Sequence, residues 1–140
     1  MTVRPVLIVE DDDDIRSMLA RLLIRHGYAV DMATDGLEAI ARLQTPARYK
    51  AVILDFALPG VDGGVVLQHI IAKAPRLLER TIVVTAHGDR VRTLRIPELC
   101  ETMDKPVKFP HLLAALGRLC NVPDDDTAVE PDELWSEPLP

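Results

Sequence analysis

The sequence predicts an α/β protein built on a doubly wound parallel sheet of five strands. Short apolar runs recur along the chain, and segments with the apolar spacing of amphipathic helices separate them. Two of the runs, residues 6–9 and 51–54, are apolar throughout, which is typical of parallel strands covered on both faces. Right-handed crossovers between such strands place helices on both sides of the sheet. With 140 residues, the chain is long enough for one domain with its own core.

The apolar runs and the turn residues that flank them place the strands. The five predicted strands cover residues 6–9, 28–33, 51–55, 81–85 and 100–104. The first helix is expected to begin in the acidic segment 12–14 and to end before Gly27, a typical C-terminal residue. Its apolar stripe includes Met18. We expect the second helix to start at Thr34 or Asp35 and to bury Leu37.

The remaining helices follow the third, fourth and fifth strands. Apolar residues at helical spacing in 66–71 predict the third helix. The fourth is short, because Asp89 can cap it and Pro97 should end it near Arg95. The last helix begins near Phe109, since the following proline is tolerated in a first helical turn.

Polar residues with phosphoryl-transfer chemistry stand at the ends of four strands. They are Glu10, Asp11, Asp55, Thr85 and Lys105. The carboxyl ends of parallel strands share one edge, and ligands bind there at the point where the strand order reverses. We therefore expect these side chains to converge. Three carboxylates, a hydroxyl and an ammonium group suit a divalent cation and a phosphoryl group.

Charge and composition exclude several classes of protein. The net charge is −6, and residues 124–140 hold seven acids and no base. We expect domain boundaries at 1–122 and 123–140, the second segment being an acidic, proline-containing tail without fixed structure. Neither part has the basic face of a nucleic-acid binder, and no apolar run is long enough to cross a membrane. Without an export signal, Cys100 and Cys120 are expected to be reduced thiols in a cytoplasmic protein.

Taken together, the motifs identify a family. The chain from about residue 4 to 121 resembles the receiver domain of two-component response regulators. The resemblance rests on residues 6–12 with Arg16, and on residues 53–63, 83–86 and 105–106. It implies a flavodoxin-like, CheY-like three-layer sandwich with the strand order 2-1-3-4-5 and a cis peptide bond before Pro106.

The resemblance also implies a metal site and an acceptor. Asp55 would accept a phosphoryl group, and Mg²⁺ would be the cofactor. Asp11 and Asp55 would be direct ligands, Glu10 would act through water, and the backbone carbonyl of Ala57 would complete the protein ligands. This fits the preference of Mg²⁺ for a few oxygen ligands together with water and phosphate oxygens.

Two further residues would contact the phosphoryl group itself. The resemblance implies that Lys105 pairs with one phosphoryl oxygen and that the Thr85 hydroxyl donates to another. The donor would be a sensor histidine kinase or a histidine phosphotransfer protein. We expect a stand-alone signalling switch that acts by protein–protein contact, as a monomer or weak homodimer, and not an enzyme. A phosphorelay intermediate or a phosphate sink is equally compatible with the sequence.

The sequence departs from the family pattern at one switch position. Receivers commonly carry an aromatic residue three positions before the lysine, and here Thr102 stands there. Partner choice is therefore not transferable from the family. The arginines of the fourth helix are either a solvated face or a docking surface, and Trp135 in the tail is either exposed or an anchor.

Two other classes of function remain as alternatives. The first is a Mg²⁺-dependent phosphohydrolase with Asp55 as the nucleophile. Such enzymes need a second acid two positions later, where this chain has Ala57. The second is a binding module that no longer uses phosphorylation, which the complete set of polar residues argues against.

Overall fold

The computed structural model describes residues 4–45, 48–58, 60–61, 63–85 and 101–120. The strands are β1 (Val6–Val9), β2 (Val30–Ala33), β3 (Ala51–Asp55), β4 (Thr81–Thr85) and β5 (Glu101–Asp104). The helices are α1 (Asp13–Arg25), α2 (Gly36–Arg42), α3 (Gly63–Lys73), α4 (Pro75–Leu78) and α5 (Phe109–Cys120). The predicted helix between Asp89 and Pro97, the thiol of Cys100, and the tail with Trp135 lie outside the described residues.

The five strands form one sheet in the order β2-β1-β3-β4-β5, and every neighbouring pair is parallel. This confirms the predicted strand order. The direction of winding reverses between β1 and β3, so the crevice at their carboxyl ends is the expected ligand position. Among the described residues, no helix is both long and apolar enough to cross a membrane.

Alternate residues of the central strands pack into two separate hydrophobic cores, one on each face of the sheet. On β1, Leu7 and Val9 pack with α2, α3 and α4, while Val6 and Ile8 pack with α1 and α5. All four side chains are at most 1% exposed. Both faces of the strand are covered, which is why its sequence is apolar at every position. The result is a three-layer sandwich, as predicted.

Local capping sets where the first two helices begin and end. The Asp12 carboxylate accepts a hydrogen bond from the Ile15 amide at 3.0 Å and begins α1. Gly27 follows the end of this helix with φ of +92°, a backbone conformation that side chains other than glycine rarely adopt. Asp35, and not Thr34, caps α2 by accepting from the Glu38 amide at 2.8 Å.

Two predicted core residues lie at the surface. Leu37 is 67% exposed, because α2 buries Gly36 and Ala39 instead. Met18 is 45% exposed, because α1 buries the stripe that contains Leu19. The predictions that Leu37 and Met18 are buried were wrong. Apolar spacing alone does not show which of two neighbouring faces of a helix packs against the core.

The described elements also differ from the predicted ones in extent. Strand β2 begins at Val30 and not at residue 28, and the short helix α4 before β4 was not predicted. Pro75 at its first position starts this helix, and Leu77 and Leu78 bury it against the sheet. Neither difference moves a strand end that carries a polar residue of the site.

Candidate functional site

The ends of β1, β3 and β5 bring three polar side chains into direct contact. The Lys105 ammonium lies 3.0 Å from Oδ2 of Asp55 and 3.8 Å from Oε1 of Glu10. Carboxylate oxygens of Glu10, Asp11 and Asp55 all lie within 4.8 Å of one another. The expected convergence at one sheet edge therefore occurs for Glu10, Asp11, Asp55 and Lys105.

Asp55 is held at both carboxylate oxygens. Oδ1 accepts a hydrogen bond from the Ala57 amide at 3.1 Å, and Oδ2 accepts one from Lys105. The Asp55 side chain is only 1% exposed, whereas Ala57 is exposed. The two hydrogen bonds therefore fix the orientation of the Asp55 carboxylate in the crevice. The neighbouring side chain of Ala57 is only a methyl group. The backbone carbonyl of Ala57 as a metal ligand stays a prediction.

The backbone after Asp55 is packed against the start of α3. The Phe56 amide donates to Val84 of β4 at 2.9 Å, and the Gly63 amide donates to the Phe56 carbonyl at 3.0 Å. A Cβ atom on Gly63 would lie 2.5 Å from the Phe56 Cα and 2.7 Å from the Asp55 carbonyl oxygen. Only glycine permits this approach. This contact of Gly63 with the end of β3 was not predicted from the sequence.

Glu10 is a buried carboxyl in an acidic neighbourhood. Burial raises the pKa of Glu10 from its ordinary 4.5 to about 7, and the charge of Asp55 adds to the rise. Two groups lower the pKa of Glu10 and so partly offset this rise. They are the Asp12 amide, which donates to Glu10 Oε2 at 3.1 Å, and the Lys105 ammonium. Among the described residues, the three carboxylates of this cluster carry more negative charge than the Lys105 ammonium offsets.

Lys105 is the cation of the site. Partial burial alone would lower the pKa of Lys105, but the hydrogen bond to Asp55 and the charges of the three carboxylates outweigh it and raise that pKa. The ammonium therefore stays protonated over the whole physiological range. The Lys105 backbone amide donates to the Thr85 carbonyl at 3.2 Å, and the peptide bond to Pro106 is cis, as the resemblance implied.

Thr85 ends β4 and is fully buried beside the site. Its hydroxyl as a donor to a phosphoryl group stays a prediction. Thr102 is half-buried, and it lines a groove of about 640 Å³ along β5 and α5 together with Lys105. The position that holds an aromatic ring in many receivers therefore borders an open groove in this chain.

The donor set fits a hard divalent cation. All three acids offer oxygen, and Asp11 is exposed, so an ion with bound water can enter from solvent. A cation would also relieve the repulsion from Asp55, which adds to the effect of burial on the pKa of Glu10. These residues could therefore hold a metal ion at the end of β1 and β3.

Removing the Glu10 charge should stabilise the metal-free protein. We expect Glu10→Gln to raise the free energy of unfolding by about 1 kcal/mol at pH 8, because the buried carboxylate lies among like charges. The folded pKa is above the unfolded one, so this carboxylate costs stability above pH 4.5 and the gain should vanish toward pH 4.5. Urea unfolding in EDTA at the two pH values measures the effect. An equal stability of both proteins at pH 8 would contradict it.

An α/β sheet with a buried aspartate, two further acids and a lysine at its switch point defines a class of phosphoacceptor signalling domains. The response regulator receiver domain model matches residues 6–117. The chain belongs to this family.

Curated relatives are similar across most of the chain. The transcriptional regulatory protein TcrA of Mycobacterium tuberculosis is 33% identical over 117 residues, which are 81% of this chain and 45% of the relative. CutR of Streptomyces coelicolor, also a transcriptional regulatory protein, is 36% identical over 124 residues, 84% of this chain and 55% of the relative. The chain spans about half the length of these relatives.

Solved structures share the fold. The response regulator TrrA of Thermotoga maritima, in complex with Mg²⁺ and a beryllium fluoride, has a TM-score of 0.73 and 29% identity, covering 84% of this chain and 99% of its own. The receiver domain of the sensor histidine kinase PA1611 of Pseudomonas aeruginosa, with a magnesium ion in its active site cleft, has a TM-score of 0.74 and 27% identity. That alignment covers 86% of this chain and all of the other.

Proposed function

We propose that this protein is a phosphoacceptor switch of a two-component system or phosphorelay. Asp55 receives a phosphoryl group from a phosphohistidine of a sensor histidine kinase or phosphotransfer protein in the cytoplasm. The observation that carries the proposal is the Asp55 carboxylate, buried at the end of β3, 3.0 Å from the Lys105 ammonium and in one cluster with Glu10 and Asp11.

The proposed transfer step exchanges one bond to phosphorus for another. An Asp55 oxygen forms a bond to phosphorus as the bond between phosphorus and the donor imidazole nitrogen breaks, and the product is an acyl phosphate. The electron pair of the broken bond stays on the imidazole. Lys105, next to Oδ2, is placed to pair with a phosphoryl oxygen. Thr85 at the end of the neighbouring strand would donate its hydroxyl to another.

We propose Mg²⁺ as the cofactor, held by Asp11 and Asp55, with Glu10 acting through water and the Ala57 carbonyl as a further ligand. When bound, it supplies positive charge against the carboxylates and against the phosphoryl oxygens. The Thermotoga and Pseudomonas neighbours, both crystallised with magnesium, support this choice.

The output is proposed to be protein–protein contact, and the domain is a switch and not an enzyme with its own substrate. Ala57 carries no acid that could activate a leaving group or a water molecule two positions after Asp55, which argues against the hydrolase alternative. The curated relatives are transcriptional regulators that are about twice as long, so their output is not carried over to this chain.

Phosphorylation by a small-molecule donor tests the proposal. Incubation of the wild-type protein with acetyl phosphate and Mg²⁺ should add the mass of one phosphoryl group, measured on the intact protein. EDTA should prevent the gain, and hydroxylamine should remove it, because hydroxylamine cleaves acyl phosphates. A protein that gains no mass from acetyl phosphate or from a panel of phosphorylated histidine kinases would favour the binding-module alternative.

A further inference from the structure

Arg16 connects the first turn of α1 to the end of β1. Its Nη1 donates to the backbone carbonyl of Glu10 at 2.9 Å, and its Nη2 pairs with the Asp13 carboxylate. The Arg16 side chain is only 13% exposed. One guanidinium therefore fastens the loop that carries two acids of the site to the helix that follows it.

The carbonyl that Arg16 binds belongs to the peptide group between Glu10 and Asp11. Because a peptide group is planar, a fixed carbonyl also fixes the position of the next Cα atom. The Glu10 amide is fixed as well, since it donates to the Ala33 carbonyl of β2 at 3.1 Å. Asp11 itself is exposed. The direction of the Asp11 carboxylate therefore depends on the backbone conformation of this loop.

We propose that Arg16 is a positioning residue for metal binding, which orients the Glu10–Asp11 peptide so that both carboxylates face the metal site. The inference deepens the proposed function and rests on it. Arg16 is not itself a ligand, and it acts through the carbonyl of Glu10. Removing a group that orients a metal ligand typically lowers the affinity for the metal tenfold or more.

Positioning and simple charge predict opposite results at this residue. The Arg16 guanidinium binds the loop that carries two of the three acids and repels a divalent cation, so by charge alone its removal should tighten metal binding. If Arg16 orients the loop, its removal should weaken binding despite the lost repulsion. The sign of the change in affinity therefore separates the two explanations.

Titration calorimetry with MgCl₂ at constant ionic strength tests the inference on the full chain. Arg16→Met should raise the dissociation constant for Mg²⁺ by about tenfold, and Arg16→Lys should give an intermediate value, because an ammonium lacks the two-armed geometry of the guanidinium. Arg21→Met removes the same charge from an exposed position of the same helix and should stay within about twofold of the wild type.

Thermal unfolding separates positioning from a general loss of stability. If Arg16 only stabilised the fold, its replacement would lower the melting temperature equally with and without Mg²⁺. A positioning role should shrink the increment that Mg²⁺ produces. Unchanged or tighter binding in Arg16→Met would overturn this inference alone, and if that variant does not fold, Arg16→Lys decides in the same way. A wild type that does not bind Mg²⁺ would overturn the metal proposal together with it.

Discussion

Asp55→Asn should abolish phosphoryl uptake from acetyl phosphate, with a decrease of at least about 100-fold. An amide oxygen is a poor nucleophile, and it cannot form the acyl phosphate that a carboxylate forms. The substitution preserves the shape of the side chain, and the Asn oxygen can still accept from Ala57 or Lys105, which bind the two oxygens of Asp55. We therefore expect the fold to persist. Intact mass after a fixed incubation measures the effect.

The matched control for this prediction is Asp104→Asn. Asp104 ends β5, one residue before Lys105, and it is exposed. The chemical change is the same and the position is at the same sheet edge, so uptake should stay at the wild-type level. If Asp55→Asn still gained one phosphoryl group, fragment masses would show whether Glu10 or Asp11 is the acceptor, and the assignment of Asp55 would be wrong.

Gly63→Ala should cost about 3 kcal/mol of folding free energy and lower the melting temperature by roughly 10 °C. The added methyl group would lie 2.5 Å from the Phe56 Cα and 2.7 Å from the Asp55 carbonyl oxygen. Both are backbone atoms in a buried strand end, so the clash cannot be relieved by a rotamer change. The strand and the start of α3 must separate, and phosphoryl uptake should fall because Asp55 moves with its backbone.

Gly117→Ala is the control, because it makes the same chemical change inside a helix where nothing lies within 4 Å of the new methyl group. Alanine is the better helix former, so this variant should gain roughly 0.5–1 kcal/mol. Urea unfolding of both variants and the wild type gives the comparison. A stability of Gly63→Ala within about 1 kcal/mol of the wild type would show that the packing of β3 on α3 is looser than the structure indicates.

The sheet could be predicted because its strands can be recognised from local sequence patterns. Residues 51–54, for example, are apolar at every position, which is typical of a parallel strand whose two faces are both covered. The strand order followed from the family resemblance and from the rules of parallel sheets. Helix faces were harder to predict, since the apolar spacing of α2 indicated that Leu37 is buried, whereas the fold buries Gly36 and Ala39.

The candidate site was predictable at the level of which residues meet. Glu10, Asp55 and Lys105 follow strands of one parallel sheet, and such strand ends share one edge. Their separations were not predictable, because Asp55 and Lys105 lie 50 positions apart in the chain. The 3.0 Å contact depends on how β3, β4 and β5 pack side by side.

The sequence by itself determined the five strands of this protein, the edge of the sheet where its polar residues lie, and the family to which it belongs. These properties depend on local patterns and on a general rule of parallel sheets. Only the tertiary structure decided that burial raises the pKa of Glu10 to about 7, that Gly63 packs against the end of β3, and that Arg16 binds the Glu10 carbonyl. Each depends on the distance between separate segments, which the packing of the helices on the sheet sets and no local pattern encodes.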